Sequence, residues 1–272
     1  MTRETPVGAP GQATPSLYYE VHEGSGPFLL LVHGMLSSRS QWLPNLAALR
    51  RVCRPVVVEL FGHGRSPTPD DPACYTPEYY GCEFEAIRTL LGAERWLVCG
   101  QSLGAALTIR YALDCPDRVA AQIFTNSNSA LAEEGWEAAV RPFMEEQARR
   151  LETEGRRVLA EHPLNPARNK RLGPQVRDAL REDYALHSPR GIACTGLYTV
   201  PPSSVRGRVV ENRVPALLVV GEREKRFAPH RRFAEANMPF LEVEALDAGH
   251  AVNLDAADGF NEAVVDFVRR HS

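Results

Sequence analysis

The chain has no hydrophobic run long enough to span a bilayer. Its longest apolar stretches, Phe28 to Val32 and Ala216 to Val220, are five residues each, against the ~20 that a membrane helix needs. A membrane partner is therefore not expected. Nor is there an excess of either charge. A formal net charge of −3 over 272 residues gives no electrostatic reason to propose nucleic acid as a partner. Six cysteines (Cys53, Cys74, Cys82, Cys99, Cys115, Cys194) stand without C-x-x-C or Cys/His ligand spacing. That pattern supports neither a zinc site nor a disulfide framework, and a reducing, cytoplasmic location is expected. No internal repeat is visible. The one biased stretch, Met1 to Pro15, is rich in Pro, Gly and Thr and lacks the apolar core of a signal peptide; a disordered tail is expected over 1–15.

Short apolar runs alternate with helix-forming segments along the rest of the chain. Strands are predicted at Leu17–Val21, Phe28–Val32, Arg54–Leu60, Arg95–Cys99, Val119–Phe124, Ala216–Val220 and Phe240–Leu246. Continuous apolar runs of this length fit strands covered on both faces. Helices are predicted over Ser38–Leu49, from Thr76 to about Leu91, over Ala105–Leu113, around His230–Asn237 and from about Ala256 to Arg270. Strand–helix alternation implies an α/β fold with a mostly parallel sheet. From 127 to 205 the pattern changes to helical, heavily charged and weakly apolar, with Arg149, Arg150, Arg156 and Arg157 among acidic residues. This stretch is expected to be a helical cap inserted over the strand ends, with the core formed by 16–126 and 206–272. Trp136, Phe143, Tyr184 and Tyr198 are its aromatic candidates for a pocket lining.

One stretch organises the others: Gly100-Gln101-Ser102-Leu103-Gly104, between an apolar strand and a helix. In that context G-x-S-x-G reads as a nucleophile elbow. The sharp turn crowds backbone against backbone, so side chains at the two glycines would clash. It also places Ser102 at a helix N-terminus, where free N–H groups favour developing negative charge. A Ser hydroxyl needs a base to take its proton, and the base needs a third group to orient it. His250, in Asp247-Ala248-Gly249-His250 after the last strand, has the position for the base; His230 falls at a helix start, where a surface role fits better. For the acid, Glu224 stands three residues past Gly221, at the point where a loop acid would reach the imidazole. Glu222 and Asp247 are the alternatives. An oxyanion hole takes two backbone donors, here the N–H of Leu103 and that of Met35 in His33-Gly34-Met35.

These pieces, together with Gly62-His63-Gly64-Arg65-Ser66, resemble the α/β-hydrolase superfamily from about Leu17 to Arg270. The resemblance implies eight mainly parallel strands, a helical cap and a Ser–acid–His triad working without metal or organic cofactor. Two positions depart from the family's usual pattern: Glu224 stands where Asp is usual, and Glu59 with Phe61 precedes the Gly-His-Gly turn where Asp and Pro are common. Within the superfamily there is a likeness to the menaquinone-pathway synthases that eliminate pyruvate, but their Arg four residues after the Ser is here Ala106. The reading that follows is a serine hydrolase of carboxylic esters, thioesters or lactones, acting on a small acyl substrate. The alternatives are a cofactor-free lyase using the same triad, or a non-catalytic binding protein on this fold.

Overall fold

The computed structural model describes residues 16–169 and 172–272; the expected tail over 1–15 lies outside them. Seven strands form one sheet: β1 (Tyr19–Val21), β2 (Phe28–Val32), β3 (Arg54–Val58), β4 (Trp96–Gly100), β5 (Val119–Thr125), β6 (Ala216–Gly221) and β7 (Leu241–Leu246). Their order is β1-β3-β2-β4-β5-β6-β7. β1 pairs antiparallel with β3, and every other pair is parallel. Among the described residues the sheet thus has one strand fewer than the eight expected. Before β1, the Ser16 and Leu17 N–H groups donate to the Glu83 carboxylate instead of a neighbouring strand.

The strands form because their side chains are covered on both sides. Leu30 and Val32 of β2 face one way, with Val56 and Val58, onto Phe84, Ile87, Leu107 and Tyr111. Leu29 and Leu31 face the other way, onto Trp42, Leu49, Phe260, Val264 and Phe267. The first layer belongs to α2 (Pro77–Leu90) and α3 (Leu103–Asp114); the second includes α1 (Leu43–Leu49). β7 differs: Glu242 and Glu244 alternate with Leu241, Val243 and Ala245, and the charged residues are exposed. Charge on an outer strand discourages pairing with another chain.

Between β5 and β6 lie α4 (Trp136–Glu154), α5 (Arg156–Glu161), α6 (Pro174–Tyr184) and α7 (Pro189–Cys194). Their apolar faces meet in a cluster of Ala148, Leu151, Val158, Leu159, Tyr184, Ile192 and Ala193, which Leu36 joins from the loop after β2. The charged faces carry ion pairs such as Arg150–Glu154 and Arg157–Glu161. Exposed helix pairs of this kind contribute only a few tenths of a kcal/mol each. The last elements are α8 (Ala228–Asn237), α9 (Val252–Asp255) and α10 (Ala257–His271).

Three imidazoles are buried behind the loop after β2. The rings of His33 and His63 are 5.2 Å apart, and those of His63 and His187 5.1 Å. Each accepts a backbone N–H: His33 Nε2 from Leu60 at 3.0 Å, His63 Nε2 from Leu36 at 3.1 Å and His187 Nδ1 from Gly64 at 3.0 Å. A protonated ring has no lone pair for such a bond. Burial lowers His33 to about 4, and burial reinforced by neighbouring imidazoles lowers His187 to about 3 and His63 well below the ordinary value. Unfolded, these groups titrate near ~6.5. Below that pH the unfolded chain binds protons that the folded chain refuses, so their contribution, complete above about 6.5, is lost as pH falls towards 4. Glu59 acts in the opposite sense: burial raises it to about 7, and its protonation on acidification favours the folded state. Three groups outweigh one. The urea midpoint is expected to fall between pH 6.5 and 4.5, with stability changing by on the order of 1–2 kcal/mol per pH unit. A midpoint constant over that range would refute the neutral histidine cluster.

Candidate active site

Each of the three candidate side chains, Ser102, His250 and Glu224, stands past the C-terminal end of a parallel strand, the edge where this sheet type gathers its ligands. Ser102 is the turn between β4 and α3, with φ 54° and ψ −116°, a strained backbone for a residue with a side chain. Neighbouring chains over-determine that strain. A Cβ on Gly100 would collide with the Gly104 carbonyl, and one on Gly104 with the Val32 carbonyl, so the two glycines let α3 start directly against β2. His250 follows β7, and Glu224 follows β6 at the start of a short 3₁₀ turn, Lys225–Phe227.

The three side chains form one hydrogen-bonded chain. His250 Nδ1 lies 2.8 Å from Glu224 Oε2, and His250 Nε2 lies 2.9 Å from Ser102 Oγ. A carboxylate only accepts, so Nδ1 carries the proton and Nε2 is free to accept from the hydroxyl. Burial by itself would raise the Glu224 carboxyl. The hydrogen bonds from His250, Asn126 and Asn128 outweigh it and hold the group below the usual carboxylate value. The other acids are elsewhere: Glu222 pairs with Arg231 at 3.4 Å, and Asp247, 86% exposed, with Arg223 at 3.6 Å. His230 sits in α8 with its ring against Phe227.

Met35 lines the same cavity as Ser102, and Leu103 follows Ser102 in the chain. Among the described residues neither N–H has a protein acceptor. Leu103 is the first residue of α3, whose opening N–H groups have no partner within the helix. The Met35 loop is held by its neighbours. Leu36 adopts a left-handed φ of 59° with its N–H on His63, and Gly34 leaves no room for a Cβ beside Gln101 and Ser102.

The sequence reading missed two residues that complete this arrangement. Asn126 Nδ2 donates to Glu224 Oε2 at 2.8 Å and to the Gly221 carbonyl at 3.1 Å, while its Oδ1 accepts the Gly221 N–H at 3.0 Å. Asn128 Nδ2 donates to Glu224 Oε1 at 2.8 Å. Both Glu224 oxygens are therefore held by side chains of the loop that follows β5. The available signal was position: Asn126 directly follows an apolar strand at its C-terminal end.

Two cavities meet at Met35, Leu36 and Leu164. One, of about 490 Å³, contains Ser102 and His250 and has a mixed lining that includes Gln41, Arg168, Asn169 and Asp255. The other, of about 300 Å³, lies among α4, α5 and α7 and is almost wholly apolar. Of the aromatic candidates, only Phe143 lines either cavity. Trp136 packs on the sheet core, and the buried Tyr184 donates its hydroxyl to the Leu159 carbonyl at 3.0 Å. Tyr198 lines neither. Among the described residues no group of three or more His, Cys, Asp or Glu side chains could hold a metal ion.

Comparison with known proteins gives the arrangement its relatives. Residues 29–263 match the family model described as "Alpha/beta hydrolase family". The chain is 28% identical to the pimeloyl-[acyl-carrier protein] methyl ester esterase of Nitrosospira multiformis, covering 93% of this chain and 98% of that one. It is 24% identical to the putative 2-succinyl-6-hydroxy-2,4-cyclohexadiene-1-carboxylate synthase of Bacillus subtilis, over 88% and 89% of the two chains. The crystal structure of the enol-lactonase from Burkholderia xenovorans LB400 superposes with a TM-score of 0.79 at 26% identity, over 93% of this chain and 96% of that one. A family match over most of the length, on a parallel sheet that turns into a helix at a strained serine, makes this chain a member of the alpha/beta hydrolase family.

Proposed function

We propose that the protein is a serine hydrolase that cleaves a carboxylic ester, thioester or lactone of a small acyl substrate through an acyl-enzyme on Ser102. The observation that carries this reading is His250 hydrogen-bonded to Ser102 on one side and Glu224 on the other. His250 Nε2 takes the hydroxyl proton as Ser102 Oγ attacks the carbonyl carbon. The Met35 and Leu103 N–H groups bind the oxyanion of the tetrahedral intermediate. Collapse breaks the bond to the leaving group, which departs with the proton from His250. Water, activated by the same imidazole, then releases the acid and restores Ser102. Glu224 holds the tautomer throughout and stabilises the imidazolium.

Relatives named as an esterase and a lactonase support the ester reading. The elimination alternative has less support, because the cation expected in α3 is replaced by the buried Ala106. In this reading the helices within 127–205 act as a cap over Ser102, and the protein works in a reducing, cytoplasmic setting. Its six cysteines are free thiols, and no helix among the described residues is long and apolar enough to cross a membrane.

The direct test is covalent. An alkyl fluorophosphonate is expected to add once to the protein, on the peptide containing Ser102, and to block turnover of p-nitrophenyl acetate in proportion to labelling. Hydrolysis that continues in fully labelled protein, or an adduct confined to another residue, would overturn the assignment.

A further inference from the structure

His250 lines one of the two cavities and not the other, and on the hydrolase reading this assigns a different end of an ester to each. The group that protonates the leaving oxygen must face it, so the leaving group occupies the cavity lined by Gly249, His250 and Ala251. The acyl chain has to run from the carbonyl in another direction. Past Met35 and Leu36 it meets the second cavity, whose walls are Ala148 and Leu151 of α4, Val158 and Leu159 of α5, and Ile192 and Ala193 of α7. Only Gln147 and His162 interrupt the apolar lining. Phe143 and Leu164 line it too and are 59% and 57% exposed. These two side chains carry the apolar lining of the cavity out to the protein surface.

Resting on the hydrolase reading above, we propose that the substrate is an ester of an unbranched, uncharged medium-chain acid, its chain in the apolar cavity and a polar leaving group beside His250. A cavity of about 300 Å³, at ~30 Å³ for a group the size of water, holds a chain of roughly six to ten carbons. The aliphatic walls offer a charged acyl terminus no partner, burial holds the His162 imidazole below its ordinary value, and desolvation disfavours the charge. The cavity on the other side, with Gln41, Asn169 and Arg168 in its lining, suits a hydrogen-bonding alcohol or thiol portion.

The test is a chain-length series of p-nitrophenyl esters from acetate to dodecanoate, run on the wild-type chain and on Ala148→Phe and Ala193→Leu. In wild type, kcat/KM is expected to rise about threefold to fourfold per methylene while the chain is entering the cavity, peak near octanoate and then fall. Each substitution fills the cavity from a different helix and is expected to lower the octanoate-to-acetate ratio of kcat/KM at least tenfold. A flat wild-type profile, or a ratio that moves less than twofold in both folded variants, overturns the proposal. A readout independent of chemistry separates it from the hydrolase reading. Octanoate should raise the Tm of Ser102→Ala protein more than acetate does, and Ala148→Phe or Ala193→Leu placed in that background should remove the difference. Octanoate stabilisation without turnover of any ester would support the cavity assignment and sink the hydrolase. If neither is seen, both fall.

Discussion

Ser102→Ala is expected to reduce ester turnover by about 10⁴–10⁶-fold with the fold unchanged, the scale on which a triad nucleophile acts. In the proposed mechanism Oγ is the atom that forms the acyl bond, and the proposed oxyanion donors are backbone groups, untouched by the substitution. Stability should change little, because Ser102 is only partly buried and its hydroxyl bonds only His250 among the described side-chain contacts. The backbone strain at φ 54° remains with alanine. Ser102→Gly should relieve it and be more stable than Ser102→Ala by on the order of 1–2 kcal/mol, while equally inactive. Steady-state kinetics with urea unfolding of both variants checks the pair. Near-wild-type turnover by Ser102→Ala would end the nucleophile assignment.

The second large effect is expected at the acid. Glu224→Gln should lower kcat by about 10²–10⁴-fold with a smaller change in KM. Its carboxamide can offer an N–H to His250 Nδ1, which then becomes the acceptor and leaves Nε2 protonated towards Ser102. In that tautomer the ring cannot take the hydroxyl proton. The substitution also removes the negative charge that stabilises the imidazolium, and it leaves Asn126 Nδ2 facing an amide nitrogen that cannot accept, while Asn128 still donates to the amide oxygen. Glu222→Gln is the matched control two residues away. Its carboxylate is more than half exposed and pairs with Arg231, a contact of little energetic weight, so turnover should stay within about twofold. Equal losses in the two variants would place the acid elsewhere.

How much of this was legible depends on sequence separation. The elbow spans five neighbouring residues, and its glycines report crowding that any strand-to-helix turn of this sharpness creates. The strands of the sheet were readable because residues covered on both faces must be apolar without interruption, as in Phe28–Val32 and Ala216–Val220. The helix expected over Ser38–Leu49 divides instead into a 3₁₀ turn, Arg39–Trp42, and α1, with Pro44 in the first turn of α1. The last one, expected from about Ala256, is α10, and Ala256 at φ −136° and ψ 56° separates it from α9, a short helix the spacing did not indicate. Breaks of this kind depend on how each segment docks, which apolar spacing does not report.

The chain alone therefore determined the order of the strands, the sharp turn at the serine, and the loops that carry His250 and Glu224, because each rests on local backbone geometry and on the burial pattern of a single element. The tertiary structure decided what those loops do to one another. It placed Glu224 against His250 and left Glu222 and Asp247 beside arginines, with Glu224 seated on Asn126 and Asn128, 98 and 96 residues away in sequence. It drew His187 in beside His63 behind the Met35 loop, and it left Trp136 and Tyr184 in cores while Phe143 reached a cavity. Such contacts join residues whose spacing along the chain has no period. They exist only once helices from separate parts of the sequence have packed against the sheet and against each other.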